Sequence, residues 1–287
     1  SNIILHQFEG LHKLWDTPME PYLDYVLKEQ EWLKEHQEQE LKEIRSKDGL
    51  TLRAAYIPRE NAKGTIICMH GYHSTNDIEF VPEVRFLWNL GYSILLPWQR
   101  SHGKSEGRYI TYGVKERHDL KRWILYTDRH LAAKNKDIFL CGISMGCATT
   151  LMAAGLDLPD NVKGIIADCG FTSPWDIIKH VAKERFHLPP FPLMYMVDLI
   201  SEVVAGFGLK EVSIPEIMKR NKIPVLFIHG DADDYVPMWM TIKNYEACAA
   251  KKELYIVSGA GHALAFSKDM EEGKRRIKNF IDKYKTI

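Results

Sequence analysis

The stretch that decides the fold is DIFLCGISMGCATTL, residues 137–151 of a 287-residue chain. An apolar β-type run at 138–141 leads into Gly142-Ile-Ser144-Met-Gly146, and a helical pattern follows to about residue 156. A Gly-x-Ser-x-Gly turn between a buried strand and a helix lifts the serine hydroxyl above the edge of the sheet. The glycines are needed because side chains there would collide at the sharp turn. The stretch therefore predicts a nucleophile, Ser144, at the end of a central strand.

A second Gly-x-Ser-x-Gly match, Gly103 to Gly107, lies in a different setting. It occupies a polar loop after Pro97-Trp98-Gln99-Arg100, where we expect the glycines to serve a turn. The loop is not a phosphate-binding loop either, because Trp98 rather than glycine stands five residues before Gly103. Ser105 is therefore not predicted to be the nucleophile.

Working outward from residue 137, β-type and helical patterns alternate along most of the chain. A hairpin is predicted from Leu41–Arg45 and Leu50–Ile57 around the turn Lys47-Asp48-Gly49. After it, apolar β-type runs occur at 65–69, 92–96, 138–141, 162–167, 225–228 and 254–257, with helical patterns at 81–89, 114–131, 145–156, 238–250 and 268–284. This alternation predicts an α/β fold with a mostly parallel eight-stranded sheet and helices on both faces.

The alternation breaks once, at about residues 171–222. This segment contains Pro189-Pro-Phe-Pro192 and an apolar run from Leu193 to Leu209, too much chain for a simple crossover. We predict a small helical cap inserted after the sixth strand, within an α/β domain that spans residues 41–287. Residues 1–40 are predicted to be a charged N-terminal helical segment, which we expect to pack on the body of the domain.

The composition argues against several classes of partner. Hydrophobic residues make up 45% of the chain, and 38 basic residues balance 38 acidic ones, so no overall field attracts nucleic acid or an anionic membrane. No uninterrupted apolar run reaches about 18 residues, so no membrane span is predicted. The five cysteines are too scattered for a disulfide framework, which favours reduced thiols and a cytoplasmic location. The chain begins with Ser1-Asn2, so a leader or anchor upstream stays open.

A serine nucleophile needs an imidazole base that is oriented by a carboxylate. His262 follows the last strand-like run in the glycine-rich loop Gly259-Ala-Gly-His-Ala263, which places it at the same sheet edge as Ser144. The loop Gly230-Asp-Ala-Asp-Asp234 follows the preceding strand and supplies the acid. We choose Asp233, because the chain order Ser144, Asp233, His262 is that of a triad on an α/β sheet. Asp231 and Asp234 are expected to be turn residues, and Asp168 is the alternative acid.

The developing oxyanion needs two backbone donors. One is predicted to be the N–H of Met145, directly after the nucleophile, and the other the N–H of Tyr72 in the loop His70-Gly71-Tyr72-His73. We expect no metal, because the acids at 231–234 have no accompanying His or Cys spacing. The predicted chemistry needs no cofactor.

These motifs resemble those of the α/β-hydrolase superfamily and fall in its order along the chain. From about Leu41 onward, the sequence is similar to the Bem46-like, dipeptidyl-peptidase-related serine hydrolases of bacteria. The resemblance implies that Ser144 is the nucleophile, His262 the base and Asp233 its orienting acid. It also shows a departure, because Trp98 stands where relatives usually have Asp before x-Arg-x-His-Gly. This departure puts in question the usual contacts beneath the oxyanion loop.

We therefore expect a serine hydrolase that cleaves an ester or related acyl bond through an acyl-enzyme, acting as a carboxylesterase on a small to medium apolar acyl substrate. The predicted pocket residues are Trp98, Phe191, Met194, Tyr195, Phe207 and Trp239. An exopeptidase or amidase is an alternative, with Glu184, Asp198 or Glu202 as holders of a free amine. A thioesterase on the same triad and a non-catalytic binding protein with this fold are further alternatives. The sequence leaves the oligomeric state open.

Overall fold

The computed structural model describes residues 20–37, 40–131 and 136–286, so parts of the predicted N-terminal segment lie outside the described residues. The body is one eight-stranded sheet with the order β1-β2-β4-β3-β5-β6-β7-β8. The strands are β1 (Leu41–Arg45), β2 (Thr51–Ile57), β3 (Gly64–Met69), β4 (Ser93–Pro97), β5 (Asp137–Ile143), β6 (Val162–Asp168), β7 (Val225–Gly230) and β8 (Lys252–Val257). Among the strands of the described residues, only β2 pairs antiparallel with its neighbours β1 and β4, and the pairs from β4 to β8 are parallel. The predicted α/β-hydrolase sheet is confirmed.

The helices cover both faces of this sheet. In chain order they are α1 (Glu20–Gln37), α2 (Asn76–Glu79), α3 (Val81–Asn89), α4 (Glu116–Tyr126), α5 (Met145–Ala153), α6 (Pro174–Glu184), α7 (Leu193–Ile200), α8 (Ile214–Met218), α9 (Met238–Ala247), α10 (Ala265–Lys268) and α11 (Met270–Tyr284). Two of them continue into a π-helical turn, α4 through Thr127–Leu131 and α7 through Ser201–Ala205.

The central strands are apolar on both faces because two separate cores sandwich them. Along β5, Ile138 and Leu140 belong to one core, and Phe139 and Cys141 belong to the other. This follows from the two-residue period of a strand, which points successive side chains to opposite faces. All residues of β5 are buried, so the sequence shows a continuous apolar run there instead of an alternating pattern.

The charged helix α1 packs on α3. Val26 and Leu33 are buried at this contact, and the Tyr25 hydroxyl donates a 2.7 Å hydrogen bond to the carbonyl of Pro82. The side chains of Arg85 and Glu29 form an ion pair at 3.4 Å. The charged residues of α1 therefore lie around an apolar stripe that faces the body.

Several helix ends differ from the sequence-based prediction; α5, for example, ends at Ala153 instead of about residue 156. The pattern at 238–250 predicted a longer helix, but α9 ends at Ala247 because Cys248 is extended, with ψ of 118°. The pattern at 268–284 predicted one helix, whereas Asp269, with φ −140° and ψ 67°, separates α10 from α11. The Tyr255 hydroxyl donates a 2.9 Å bond to Asp269, which ties this break to β8.

Between β6 and β7 the chain forms an insert, residues 169–224, that carries α6, α7 with its π-helical turn, and α8. It occupies the predicted position after the sixth strand. All five cysteines are buried and unpaired. No helix in the described part of the chain has the length and apolar character needed to cross a bilayer.

Candidate active site

Ser144 lies in the sharp turn between β5 and α5. Its backbone has φ 55° and ψ −116°, a conformation outside the usual regions for a residue with a side chain. A β-carbon on Gly142 would come within 2.5 Å of the Gly146 carbonyl oxygen, and one on Gly146 within 1.8 Å of the Met69 oxygen. Both glycines are thus required by the close approach of backbone segments. The Ser144 N–H donates to Asp168 O at 2.9 Å, which ties the turn to β6.

The structure brings Ser144, His262 and Asp233 into a continuous hydrogen-bonded row. His262 Nε2 lies 2.8 Å from Ser144 Oγ, and His262 Nδ1 lies 2.7 Å from Asp233 Oδ2. A carboxylate only accepts, so Nδ1–H donates to Asp233, which leaves Nε2 of the neutral imidazole as an acceptor for the serine hydroxyl. This is the proton arrangement that general-base activation of a serine requires.

The Asp233 carboxylate is held from several sides. Its Oδ1 accepts hydrogen bonds from the N–H groups of Tyr235 at 2.9 Å and Val236 at 2.8 Å. His229 Nε2 lies 3.3 Å from Oδ2. Burial by itself raises the pKa of Asp233, but the bonds with His229, His262 and Val236 outweigh burial and hold the pKa below its usual range. Asp233 is therefore charged, as an orienting acid must be.

The other candidate acids take different positions. Asp231 Oδ1 accepts from the Gly259 N–H at 2.6 Å, and exposed Asp234 pairs with Arg185 at 3.3 Å. Asp168 is buried beside the site, and its Oδ1 has no hydrogen-bond partner among the described residues. Burial raises the pKa of Asp168 to about 6, although His229 and His262 lower it. Of these four carboxylates, Asp233 is the one hydrogen-bonded to His262.

The two predicted oxyanion donors flank the serine. A β-carbon on Gly71 would lie 3.3 Å from Ser144 Cβ, so the loop that carries Tyr72 runs directly past the nucleophile. Met145 begins α5, where the first N–H groups of a helix have no partner within the helix. Neither N–H group donates a hydrogen bond to any residue that the structure describes. Their role as oxyanion donors stays a prediction.

Two neutral imidazoles hold this loop, a role that the sequence did not predict. His70 Nε2 accepts from the Gln99 N–H at 3.0 Å, and His102 Nε2 accepts from the His73 N–H at 3.1 Å. Their Nδ1 atoms lie 2.8 Å from Gly71 O and 2.9 Å from Arg100 O, so each Nδ1–H donates to a carbonyl. Burial, with His102 nearby, lowers the pKa of His70 to about 3, and burial also lowers the pKa of His102.

Gln99 completes the support beneath the loop. Its amide Nε2 donates to the His70 carbonyl, and its Oε1 accepts from the Thr149 hydroxyl at 3.2 Å. Gln99 follows Trp98 in the stretch that departs from the pattern of relatives. The sequence shows only that Gln99 lies in a polar loop after a strand. That position does not reveal which residues its side chain bonds.

A group of acids lies behind the loop. Glu79 accepts a hydrogen bond from the Gly71 N–H, the residue directly before Tyr72. Burial raises the pKa of Glu79 to about 8, and nearby Asp168 adds to the rise while the Gly71 N–H opposes it. Burial likewise raises the pKa of Glu83, whose Oε2 has no partner among the described residues. Glu79 therefore holds the loop that carries Tyr72 largely as a neutral acid at neutral pH.

Tyrosine rings lie beside His262 and on the loop that passes Ser144. Tyr72 and Tyr112 stack with centroids 5.3 Å apart and an angle of 15° between their planes. Tyr235 lies 5.1 Å from the His262 ring, and the Arg185 guanidinium sits 4.8 Å above Tyr235. Burial and the neighbouring Tyr72 raise the pKa values of Tyr112 and Tyr235, so both remain neutral phenols.

The buried carboxylate of Glu116 fixes the loop that carries Tyr112. It accepts from the N–H groups of Thr111 at 2.8 Å and Gly113 at 2.9 Å, and from the Thr111 hydroxyl at 2.5 Å. Tyr112 itself has a positive φ of 51° between these anchors. The carboxylate therefore places a strained residue against Tyr72.

The predicted pocket residues fall into two groups. Trp98, Met194 and Phe207 are buried, whereas Phe191, Tyr195 and Trp239 are exposed. Trp98 packs so closely on the turn after β4 that a β-carbon on Gly103 would lie 2.1 Å from its ring. Lys104 Nζ lies 5.1 Å from the same ring. A substrate-contacting role for these six residues stays a prediction.

Ser105, the serine of the second Gly-x-Ser-x-Gly match, has turn contacts. Its hydroxyl donates to Trp98 O at 2.7 Å and accepts from the Arg53 N–H at 2.8 Å. Ser105 thus joins the turn to β2 and has no imidazole partner among the described residues.

Cys169, Asp233 and His262 place three potential metal ligand atoms within 4.8 Å of one another. Burial raises the pKa of the Cys169 thiol well above its usual value, and the charges of Asp168 and Asp233 add to the effect. Metal binding needs the thiolate, and His262 Nδ1 is already bonded to Asp233. The protonated thiol and the bond between His262 and Asp233 therefore suit the hydrogen bonds among Ser144, His262 and Asp233 better than they suit a bound metal ion.

Comparison with known proteins agrees with the fold. Residues 105–286 match the prolyl oligopeptidase family. The chain is 29% identical to the uncharacterized protein YqkD of Bacillus subtilis over 244 residues, which covers 83% of this chain and 78% of YqkD. It is 25% identical to protein bem46 of Schizosaccharomyces pombe, covering 74% of this chain and 67% of bem46. Among solved structures, the esterase Pf2001 of Pyrococcus furiosus superimposes with a TM-score of 0.68 at 25% identity, covering 85% of this chain and 92% of the esterase.

Proposed function

The chain belongs to the prolyl oligopeptidase family, is a hydrolase with the α/β-hydrolase fold, and on that premise we propose that it is a serine carboxylesterase working through an acyl-enzyme. The observation that carries the proposal is the row Ser144 Oγ, His262, Asp233, with contacts of 2.8 and 2.7 Å. An activated serine needs this order of groups at hydrogen-bonding distance.

In the proposed first half-reaction, Ser144 Oγ attacks the acyl carbonyl while His262 Nε2 takes the hydroxyl proton. The charge on the imidazolium is stabilised by Asp233, which stays ionised. The carbonyl oxygen becomes an oxyanion facing the N–H groups of Tyr72 and Met145. One such donor is worth about 2.7–4 kcal/mol in comparable sites.

Collapse of the tetrahedral intermediate breaks the bond to the alcohol, and His262 gives its proton to that leaving oxygen. The acyl group is now an ester of Ser144. In the second half-reaction His262 takes a proton from water, the hydroxide adds to the acyl carbonyl, and the acid is released as Ser144 recovers its proton. Every step uses groups of this chain and water.

The tyrosines around the site favour an acyl group with an aromatic or broad apolar body. Tyr72 follows the glycine beside the nucleophile and stacks on Tyr112, while Tyr235 borders His262. Aromatic rings gain about 0.5–1.5 kcal/mol from offset or edge contacts beyond their burial. The substrate class supported best is therefore an ester of a small to medium apolar acid, with aromatic acids favoured among them.

A peptidase is the second candidate, because the matching family is described as that of prolyl oligopeptidase. Two of the three acids first considered as holders of a substrate amine have other contacts: Glu184 pairs with Lys183 at 3.0 Å, and Asp198 accepts from the Leu209 N–H at 2.7 Å. These contacts favour the esterase. A thioester would react through the same steps as an oxygen ester.

The test uses a fluorophosphonate probe and intact mass on the wild type, Ser144→Ala and the matched control Ser105→Ala. We expect labelling of the wild type and of Ser105→Ala and none of Ser144→Ala. Turnover is then compared among p-nitrophenyl esters of acetate, butyrate and benzoate, an acyl thioester, and aminoacyl and dipeptidyl p-nitroanilides. Preference for the anilides would replace the esterase proposal with a peptidase. An unlabelled, folded wild type would contradict a serine hydrolase altogether.

A further inference from the structure

The outer side of the insert carries an unusual density of exposed apolar side chains. We call this surface the insert face. Its nine members each expose between 44% and 77% of their surface: Phe186, Leu188, Phe191, Tyr195, Met196, Leu199, Ile200, Val203 and Val204. They lie within 19 consecutive residues, on α7 with its π-helical turn and the segment before it, and the Phe191 and Tyr195 rings lie 6.0 Å apart.

The helix α7 is apolar on both its inner and outer sides. Met194 is buried against the body, and Trp175 holds Tyr195 through a ring contact of 5.4 Å. The outer side chains repeat at intervals of four residues, at 195 and 196, 199 and 200, and 203 and 204. A helix that is apolar all round belongs in an interior, so the outer side lacks a partner within the chain that the structure describes.

The exposed apolar area of the insert face is close to the area that one partner buries in a protein–protein interface. With roughly 100 Å² exposed on each of nine large apolar residues, the face offers on the order of 900 Å². The largest apolar patch on a typical monomer is about 300–600 Å². A specific protein interface buries about 800 Å² on each partner. The face is therefore large enough to form one side of a stable interface.

The charges around the face favour a protein over a lipid surface. Residues 186–209 contain no Lys or Arg, while Asp198 and Glu202 lie within α7 and its π-helical turn. Two nearby lysine side chains already have partners within the chain. Lys115 Nζ donates to Ala205 O at 2.7 Å, and Lys210 Nζ lies 3.7 Å from the Trp175 ring. An anionic membrane would be repelled by such a surface rather than attracted.

We propose that the insert face is the interface with a second copy of this chain in a twofold dimer. The rows of side chains four residues apart form ridges, and two such helices pack by setting the ridges of one between those of the other. In a twofold dimer the same patch serves both partners, so one apolar ridge supplies both halves of the contact. Dimer formation covers the outer side of α7, which the chain alone leaves in water.

The first test is the mass of the full chain in solution, measured by light scattering across a range of concentrations. We expect the wild type to have twice the chain mass of 33.2 kDa. The double variant Leu199→Glu/Val203→Glu is expected to be a monomer, because it would place four extra negative charges in the interface. The matched control Leu27→Glu changes an exposed leucine on α1 and is expected to stay dimeric. A monomeric wild type, or a double variant that is still a dimer, would overturn the proposal.

A second test maps the contact without weakening it. Cysteine is introduced as Leu199→Cys or Val203→Cys, and as Glu271→Cys on α11 for control. The native cysteines are all buried, so the new thiol is the accessible one. Mild oxidation joins two thiols by a disulfide, with the oxidant taking two electrons and two protons released. We expect covalent dimers from at least one insert-face variant and none from Glu271→Cys. A wild type that is monomeric but binds phosphatidylcholine vesicles, with binding lost in the double glutamate variant, would assign the face to lipid and refute the dimer.

Discussion

Asp233 Oδ2 lies 2.7 Å from His262 Nδ1, while Oδ1 of the same carboxylate accepts two backbone N–H groups. The two oxygens therefore have separate tasks. Oδ1 fixes the carboxylate to its own loop, whereas Oδ2, which also lies 3.3 Å from His229 Nε2, sets the tautomer and the plane of the His262 imidazole. The position of the base depends on this division.

Asp233→Asn tests that relationship. The amide can keep the shape of the side chain but can present N–H to His262, which would favour the tautomer with its proton on Nε2. We expect kcat for p-nitrophenyl esters to fall by roughly 10³–10⁴-fold. Asp168→Asn is the matched control, since Asp168 lies close by without bonding His262, and it should lose far less. Equal losses in the two variants would contradict the assignment of Asp233.

Gln99→Leu tests the support of the oxyanion loop. The substitution removes the donor to the His70 carbonyl and the acceptor for Thr149, so the loop that carries the Tyr72 N–H loses its position. We expect kcat to fall by about 10–100-fold with KM nearly unchanged, as for the loss of a transition-state contact. Thr149→Val removes one of these bonds and should cost less. A rise in KM at constant kcat would show that Gln99 acts on substrate binding instead.

Glu79→Gln tests the neutral acid behind the loop. The folded chain holds a proton at Glu79 up to a pKa of about 8, whereas the unfolded chain releases it near the usual 4.5. Stability contributed by this group is thus fully present below about pH 4.5 and is lost as the pH rises to about 8. The variant has no proton to lose, so it should melt several degrees above the wild type at pH 8 and close to it at pH 5.

Thermal unfolding at several pH values measures this difference, with one kcal/mol corresponding to about 2–4 °C at this chain length. Glu271→Gln is the control, because Glu271 is exposed on α11. A constant offset between Glu79→Gln and the wild type at all pH values would rule out the titration of Glu79 as the cause.

Gly146→Ala tests the close packing of the nucleophile turn. The new β-carbon would have to fit 1.8 Å from Met69 O, so β3 and α5 must separate. We expect a loss of stability of at least a few kcal/mol or failure to fold. Gly261→Ala is the matched control, because its β-carbon would find its nearest neighbour at 3.6 Å. Chemical denaturation compares the two, and a stable Gly146→Ala protein would refute the argument.

Tyr112→Leu tests the preference for aromatic acyl groups. Leucine keeps apolar bulk but loses the ring that stacks on Tyr72, so kcat/KM for benzoate esters should fall several-fold relative to acetate esters. Tyr109→Leu changes a nearby ring that faces Arg108 instead and should leave the ratio unchanged. A fall shared equally by both esters would indicate a general disturbance and not a preference.

The parts of the fold that the sequence predicts are those set by short-range patterns. The turn at Ser144 depends on adjacent glycines, and the mostly parallel sheet follows from strands that alternate with helices. Gln99 and Glu79 escaped prediction because their roles come from residues brought together by the fold, His70 across 29 positions and Gly71 across eight. No local pattern distinguishes such residues from other polar residues in a loop or helix.

The apolar run from Leu193 to Leu209 shows the same limit in another form. Its composition predicts a small helical cap, and the structure buries Met194, Phe207 and Leu209 in the core that covers one face of the sheet. An apolar sequence alone does not show which sides of a helix are buried in the fold. The outer side of α7 stays exposed in this chain, which only the packing of the insert reveals.

All five cysteines are buried, so their reaction with a reagent in solution can report when the interior of the protein opens. A hydrogen bond with Cys68, together with burial, raises the pKa of Cys141, and burial raises the pKa values of Cys147 and Cys169. These thiols are therefore inert toward alkylating reagents while the protein is closed. Each alkylation event then marks one opening of the interior. The rate at which these thiols are alkylated therefore measures how often the two cores that sandwich the sheet are exposed to water.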